Sequence, residues 1–172
     1  LDPAVGSVAS IFVSRWDKPV ADRVPAELRN RLGIAIGKRT YAAYRALLDS
    51  ARAQHLVAAG ARPQRLLFAS TSTKDPNAPD TLYVEALAAP DTIDTMPEKT
   101  LLAFADHGHA DTLLARDGGN AEETLAAFTR AGIDLDALAA QLQREGAESF
   151  STSWRDLMSQ IDRKSAALAE SR

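Results

Sequence analysis

The sequence contains no cysteine, few aromatic residues and no long hydrophobic run. Without cysteine, the 172-residue chain can form neither a disulfide nor a thiolate metal site, and it has no cysteine nucleophile. No stretch approaches the roughly 18 consecutive apolar residues of a spanning helix, and no charged-then-apolar leader opens the chain, so we expect neither a membrane protein nor export. Its 45% hydrophobic and 25% charged residues are typical of an ordinary globular domain.

Charge is distributed unevenly behind a net value of −3. Residues 1–65 carry eleven Lys and Arg against five Asp and Glu, whereas residues 66–172 carry nine against eighteen. An anion-binding half and a solvated helix face both fit this pattern, and the second is favoured because five arginines fall on one predicted helix: Arg29, Arg31, Arg39, Arg45 and Arg52. The aromatics are not interleaved with these basic residues, so no nucleic-acid partner is expected.

The first two thirds of the chain alternate between short apolar runs and helical patterns. The runs predict buried strands, the first of them buried on both faces, and the predicted strands cover residues 7–13, 65–69 and 91–95. Helices are predicted over residues 25–59, 81–88 and 97–105, and Gly60 is expected to end the first of them. Such alternation indicates parallel strands joined by helical crossovers, and hence an α/β fold.

Beyond residue 108 the pattern is helical throughout. Three helices are predicted, over residues 121–131, 134–145 and 151–169. Asn120 and Asp134 are expected to cap the first two, and Gly132 to stop the first. The last helix is expected to turn five apolar side chains toward a core: Trp154, Leu157, Met158, Ile161 and Leu168.

Polar residues follow the predicted strands, at the edge where ligands bind in parallel α/β folds. They include Ser14 and Arg15 after the first strand, the run 70–74 after the second, and Thr95 after the third. Arginine, lysine and hydroxyl groups suit an anionic, hydroxyl-bearing ligand such as a sugar phosphate. The alternative, in which the hydroxyls cap helices and Arg15 pairs with Asp17, fits the spacing equally well.

Four sequence blocks in fixed order resemble the transaldolase family. They are SVASIFVSR at 7–15, ASTSTKDP at 69–76, DTLY at 80–83 and PDTIDTMP at 90–97. The segment 103–108 and the helical tail through Trp154 also resemble the longer bacterial and plant-like members, so the resemblance covers nearly the whole chain. It implies the carboxyl-terminal portion of a (β/α)8 TIM barrel, with the last three β/α units over 1–108 and a helical extension over 109–172.

The resemblance also implies a reaction. Members of this family transfer a dihydroxyacetone unit between sugar phosphates in the cytoplasmic pentose phosphate pathway, through a lysine Schiff base and without a metal or cofactor. The implied substrates are sedoheptulose 7-phosphate, glyceraldehyde 3-phosphate, fructose 6-phosphate and erythrose 4-phosphate. None of the five lysines matches the Schiff-base position, so the isolated chain is predicted to be inactive and to need the amino-terminal part of the same barrel.

Matched position by position, the resemblance implies a substrate-binding role for several strand-end residues. Ser10 is expected to contact ketose hydroxyls and Arg15 the phosphate. Ser70 matches the family serine of the next strand, but Ser72 replaces a second phosphate-binding arginine, which leaves the hydroxyls, backbone amides or Lys74 to make that contact. Lys74 fits a phosphate contact and an exposed loop cation equally, and its polar loop argues against a nucleophile.

Other features have simpler interpretations. Phe12 is expected to be a core residue rather than a pocket wall, and His107 and His109 a helix end rather than a metal pair, because a third ligand is missing. The chain opens at Leu1 and reaches a strand-like run within a few residues, so a piece of a longer protein is expected. A non-catalytic sugar-phosphate-binding or interaction module is the alternative function.

Overall fold

The structure, a computed structural model, describes residue 2 and residues 5–170, without the side chain of residue 170. Leu1, from which the expectation of a longer protein started, lies outside the described residues. The chain divides into two compact units, residues 1–133 and residues 134–172. The boundary predicted between barrel units and extension after residue 108 stays a prediction.

The first unit is built on a three-stranded parallel sheet. Its strands are β1 (Val8–Phe12), β2 (Arg65–Ala69) and β3 (Thr92–Asp94), in the order β1-β2-β3. Ser10 pairs with Leu67 in the first ladder, and Phe68 pairs with Asp94 in the second. The predicted α/β class is therefore confirmed. Strand β2 occupies the predicted residues because its apolar run is bounded by the charged Arg65 on one side and by the polar residue after Ala69 on the other.

Over its described residues, the first unit has six α-helices beside these strands. They are α1 (Ser14–Asp17), α2 (Leu32–Asp49), α3 (Ala51–Ala58), α4 (Leu82–Ala86), α5 (Glu98–His107) and α6 (Ala121–Arg130), with 3-10 turns at Lys18–Val20 and Ala26–Leu28. The single helix predicted over 25–59 is therefore wrong. Ser50 interrupts it: its extended backbone ends α2, and its hydroxyl accepts a hydrogen bond from the Ala53 amide as the N-cap of α3.

One face of the sheet packs against helices. The buried cluster there joins β2 to α2, α4 and the residue after β1: Val13, Tyr41, Leu66, Phe68, Tyr83 and Leu87. The prediction that the first strand is buried on both faces is wrong. Val8, Ala9 and Ser10 are exposed, because β1 is an edge strand of the described sheet and its second face is not covered.

Two arginines of α2 bind carboxylates from the acidic half of the sequence. Arg39 donates two hydrogen bonds to Glu122 of α6, and Arg45 forms an ion pair with Asp91. Only 14% of the Arg45 side chain is exposed, so a solvated face is the wrong description for this residue. Some of the excess basic residues in the first part of the sequence thus pair with acidic residues of the second part.

The boundaries of α6 follow the predicted signals only in part. Gly132 adopts a positive φ of 85° just past the helix, as expected of a glycine stop. Asn120 occupies the N-cap position, but its side chain does not bond to the helix amides. Instead its carbonyl oxygen Oδ1 accepts a hydrogen bond of 3.0 Å from Lys38 Nζ.

As far as it is described, to residue 170, the second unit contains one helix, α7 (Leu135–Glu170), where two helices were predicted. Asp134 begins it as predicted, since its Oδ1 atom accepts a 2.9 Å hydrogen bond from the Ala137 amide. The expectation that the five apolar side chains from Trp154 to Leu168 face a core is wrong, because all are 40–71% exposed. None of the described helices is long and apolar enough to cross a membrane.

Candidate functional site at the carboxyl edge of the sheet

The carboxyl ends of the three parallel strands meet at one edge of the sheet. Pairing between the first two continues past the strands, because the Val13 amide donates to the Ala69 carbonyl at 2.8 Å and the Ser14 amide to the Ser70 carbonyl at 3.1 Å. The segments that follow β1 and β2 are therefore held side by side. The predicted site residues all lie in or next to these segments.

Ser10, Phe12 and Arg15 share the sheet face that the helices leave open. Ile11 packs against the buried cluster, and alternation along a strand turns its neighbours Ser10 and Phe12 to the opposite face. The Arg15 guanidinium carbon lies 4.4 Å from the centroid of the half-buried Phe12 ring, a cation–π contact that holds the guanidinium over this face. Phe12 is therefore a support for Arg15 rather than a fully buried core residue.

Ser70 and Ser72 begin the loop after β2. Ser70 has a left-handed backbone with φ of 56°, which is uncommon for a residue other than glycine, and turns the chain away from the strand. The Ser72 hydroxyl accepts a 2.8 Å hydrogen bond from Lys74 Nζ. These contacts bring Ser72 and Lys74 together on one side of the loop.

Lys74 lines a cleft of about 520 Å³ that Arg15 does not line. Lys18, Arg29 and Lys74 are the basic residues of this cleft, and three carboxylates also line it: Asp17, Asp22 and Asp75. Lys74 does not pair with its neighbour Asp75. That carboxylate accepts 2.9 Å hydrogen bonds from the Asn77 backbone amide and from the Asn30 side chain, which lower its pKa. Arg15 and Lys74 thus have different neighbours: Arg15 lies over Phe12, whereas Lys74 bonds to Ser72 and lines this cleft.

Sequence reasoning missed a buried carboxylate beside these residues. Asp17 is only 4% exposed, and its oxygens accept hydrogen bonds from the amides of Leu32 (2.9 Å) and Gly33 (3.0 Å) and from the Tyr83 hydroxyl (2.8 Å). The first turn of α2 has no capping side chain at Arg31, so Asp17 supplies the acceptor from a distant segment. The proposed Arg15–Asp17 ion pair is absent from the described residues.

Burial dominates the electrostatics of this network. It raises the pKa of the Asp17 carboxyl, and the hydrogen bonds from Tyr83, Gly33 and Leu32 only partly offset that effect. The pKa of the Tyr83 hydroxyl is also raised, first by burial and then by the neighbouring Asp17 charge. Through these hydrogen bonds, Asp17 links the α1 turn, which carries Arg15, to α2 and α4.

A second polar pair joins the ends of β2 and β3. Thr71 is fully buried, and its hydroxyl lies 2.7 Å from Asp94 Oδ1 and 3.2 Å from the Thr95 carbonyl oxygen. Burial raises the pKa of the Asp94 carboxyl, and the Thr71 hydrogen bond lowers it. The Thr71 hydroxyl thus makes hydrogen bonds within the protein, whereas Ser70 and Ser72 are half-exposed at the edge of the sheet.

His107 ends α5 as an exposed residue between two carboxylates. Its Nε2 atom lies 2.9 Å from Asp80 and its Nδ1 atom 3.2 Å from Asp106. These hydrogen bonds raise the pKa of His107, and the same contact lowers the pKa of Asp80. Over residues 2 and 5–170, no cluster of three or more His or acidic side chains is arranged to hold a metal ion.

Replacing His107 with glutamine should make stability depend less on pH. Because the folded pKa of His107 is raised above its ordinary value of 6.5, its stabilising contribution is complete below that value and is lost as pH rises through the folded pKa. We expect the Tm difference between wild type and His107→Gln to shrink between about pH 6 and pH 8, and to weaken in high salt. A difference that is independent of pH would contradict the ion pair.

Comparison with known proteins identifies what this fold belongs to. The family described as transaldolase/fructose-6-phosphate aldolase matches residues 3–161. The chain is 44% identical over 165 residues to a transaldolase of Saccharopolyspora erythraea and 46% identical over 166 residues to one of Parafrankia sp.. A transaldolase of Thiobacillus denitrificans is 42% identical over 162 residues.

These alignments cover 90–91% of this chain but only 44–45% of each relative. The chain therefore spans less than half the length of the curated relatives that it matches. Since the family match extends over nearly all of the residues, this chain belongs to the transaldolase/fructose-6-phosphate aldolase family.

Proposed function

We propose that this chain supplies the phosphate-binding edge of a transaldolase. The intact enzyme transfers a dihydroxyacetone unit between sugar phosphates through a lysine Schiff base, as a cytoplasmic enzyme of the pentose phosphate pathway. The observation that carries this proposal is the 44–46% identity to proteins named transaldolase over 91% of the chain. The proposed reaction needs neither a metal nor a cofactor.

Arg15 is the proposed contact for the substrate phosphate. Its guanidinium is exposed, makes no ion pair with any described residue, and stands over Phe12 at the carboxyl edge of the sheet. A guanidinium can donate two parallel hydrogen bonds to phosphate oxygens. Ser10, two residues before Phe12 on the same face, would then offer its exposed hydroxyl to the ketose hydroxyls.

Ser70, Ser72 and Lys74 are proposed to complete the phosphate side of the site. The family arginine expected here is replaced by Ser72, whose hydroxyl already accepts a hydrogen bond from Lys74 Nζ. An ammonium can bring positive charge to a phosphate, and its flexible stem lets it reach the ligand without a fixed fork geometry. Lys74 thus takes over the charge that the missing arginine would carry.

The Schiff-base lysine is proposed to lie outside this chain. Only the neutral amine attacks a ketose carbonyl, and burial or nearby cations favour that form. None of the five lysines is buried: Lys18, Lys38, Lys74, Lys99 and Lys164. We therefore infer a (β/α)8 barrel of which this chain supplies three strands, and whose remaining part brings the amine to the site.

Arg15→Ala should weaken the binding of phosphorylated substrates. The test protein is a chimera in which this chain replaces the matched segment of the Saccharopolyspora erythraea transaldolase. Loss of a charge-assisted contact of about 2 kcal/mol corresponds to a roughly 30-fold rise in KM for fructose 6-phosphate. The KM for unphosphorylated fructose should hardly change, because that ligand lacks the contact.

Arg130→Ala is the matched control for this experiment. Arg130 is also an exposed arginine, but it lies in the last turn of α6, away from the strand ends. Its replacement should leave both KM values unchanged. Equal effects of Arg15→Ala on fructose and fructose 6-phosphate would show that Arg15 does not bind the phosphate.

A further inference from the structure

The short helix α1 carries Arg15 but cannot hold it in place unaided. It contains only four residues, Ser14–Asp17, and no side chain caps its first turn. A helix this short is not stable by itself, because too few hydrogen bonds offset the entropy lost in ordering its backbone. The direction of the Arg15 side chain is therefore set by contacts between α1 and other segments.

The start of α1 is fixed by the sheet. The Val13 amide donates to the Ala69 carbonyl at 2.8 Å and the Ser14 amide to the Ser70 carbonyl at 3.1 Å, in continuation of the ladder between β1 and β2. Both bonds lie at one end of the turn. A contact at the other end is needed to stop the turn from pivoting about them.

The end of α1 is fixed by the buried Asp17 carboxylate. Its Oδ1 atom accepts a hydrogen bond from the Leu32 amide, whereas its Oδ2 atom accepts two, from the Gly33 amide at 3.0 Å and from the Tyr83 hydroxyl at 2.8 Å. Among the described residues, Tyr83 is the one side chain that donates to Asp17. It lies on α4, which follows the loop of Lys74, and is 1% exposed.

The position of Asp17 bears directly on Arg15, which lies two residues before it in the same turn. The Arg15 guanidinium carbon is 4.4 Å from the centroid of the Phe12 ring. A cation–π contact at an exposed site is weak, so it keeps the guanidinium over the ring only while the turn holds the arginine backbone in place. A loosened Asp17 should therefore release the guanidinium from Phe12.

We propose that Tyr83 is a positioning residue for Arg15: its hydroxyl fixes the Asp17 carboxylate, which holds the α1 turn in the orientation that directs the guanidinium to the open edge of the sheet. Tyr83 is buried, so its effect reaches a ligand through Arg15. The proposal rests on the proposed function in one respect, namely that Arg15 binds the substrate phosphate.

The first test follows Arg15 by NMR in the full chain, without a ligand. A proton held over an aromatic ring resonates upfield, so the Arg15 side-chain protons should be shifted upfield in wild type and should lose that shift in Phe12→Leu. Tyr83→Phe should remove most of the shift. Tyr41→Phe should keep it and is the matched control, since Tyr41 is equally buried but its hydroxyl contacts the Pro90 carbonyl oxygen. Absence of the shift from wild type, or its full retention in Tyr83→Phe, would overturn the proposal.

The second test measures kinetics in the chimera with the Saccharopolyspora erythraea transaldolase. Tyr83→Phe should raise the KM for fructose 6-phosphate about fivefold, because a misdirected guanidinium meets the phosphate poorly, and should hardly change the KM for unphosphorylated fructose. The kcat value should change little, since the phosphate is held equally before and during the reaction. Tyr41→Phe should leave both KM values unchanged. Equal effects of Tyr83→Phe on the two sugars would indicate a merely structural role and overturn the proposal.

Combining Tyr83→Phe with Arg15→Ala separates this proposal from the proposed function. Because Tyr83 acts through Arg15, the double variant should have the same KM for fructose 6-phosphate as Arg15→Ala alone. A further rise in the double variant would overturn the proposal, as would a selective effect of Arg15→Ala that Tyr83→Phe does not share, and either result leaves the phosphate contact standing. Without a selective effect of Arg15→Ala, the proposed phosphate contact is wrong, and the upfield shift alone decides whether Tyr83 positions Arg15.

Discussion

Gly33→Ala should destabilise the first unit by about 3 kcal/mol, one of the two largest effects we expect. A Cβ atom at Gly33 would press against the Val13 carbonyl oxygen and would lie 2.7 Å from Asp17 Oδ2. The Val13 carbonyl is backbone and cannot rotate away, so either α2 or the α1 turn must move. That movement would separate the Gly33 amide from the Asp17 carboxylate that accepts its hydrogen bond.

Replacing Gly146 with alanine should instead raise the free energy of unfolding. Gly146 lies inside α7, and a Cβ added there would meet no other part of the described chain within 4 Å, so alanine only improves helix propensity, by up to about 1 kcal/mol. Urea unfolding followed by circular dichroism measures both changes. Equal stabilisation by the two alanines would show that α2 does not approach Val13 as closely as described.

Asp17→Ala should cost a similar amount, about 3 kcal/mol. The substitution removes the acceptor for two amides at the start of α2 and for the Tyr83 hydroxyl, all of them buried. Donors left without partners inside a protein lose their hydration without replacement. The expected loss is therefore far larger than for a carboxylate at the surface.

Hydrogen exchange gives this prediction a local measurement. The amides of Leu32 and Gly33 should exchange markedly faster in Asp17→Ala. The matched control is Asp22→Ala, since Asp22 also lines the Lys74 cleft but is exposed. Unchanged exchange at Leu32 and Gly33 in the Asp17 variant would contradict the capping role.

Local sequence signals were sufficient for the strands and for several helix ends. The run 65–69 predicts β2 because apolar residues are bounded by charged and polar ones. Gly60 and Gly132 end helices with positive φ values of 92° and 85°, a conformation that glycine adopts without steric cost. The parallel order of the strands follows from their alternation with helices.

Local sequence signals could not predict contacts between residues that lie far apart in the sequence. Asp17 and Tyr83 are separated by 66 positions, and no local pattern indicates that a residue after β1 caps α2. The break at Ser50 lies within a continuous helical periodicity, because a serine hydroxyl can cap a new helix without disturbing the apolar spacing. The exposed edge of β1 was missed because an apolar run alone does not reveal how many strands surround it.

The candidate site could be predicted as a set of residues but not as an arrangement. Arg15 and Lys74 follow neighbouring strands, and their residue types alone suggested one anion site. The contact of Arg15 with Phe12 and the hydrogen bond from Lys74 to Ser72 could not be predicted, since spacing along the chain does not specify which nearby partner a side chain finds.

The most direct measurement is transaldolase activity of the Saccharopolyspora erythraea chimera, compared with that of this chain alone. We expect the folded chimera to transfer dihydroxyacetone units from fructose 6-phosphate to erythrose 4-phosphate, and the isolated chain to be inactive. Borohydride should trap the Schiff base on a lysine outside the 172 residues. A folded chimera without activity, or product formed by the isolated chain, would contradict the proposed function.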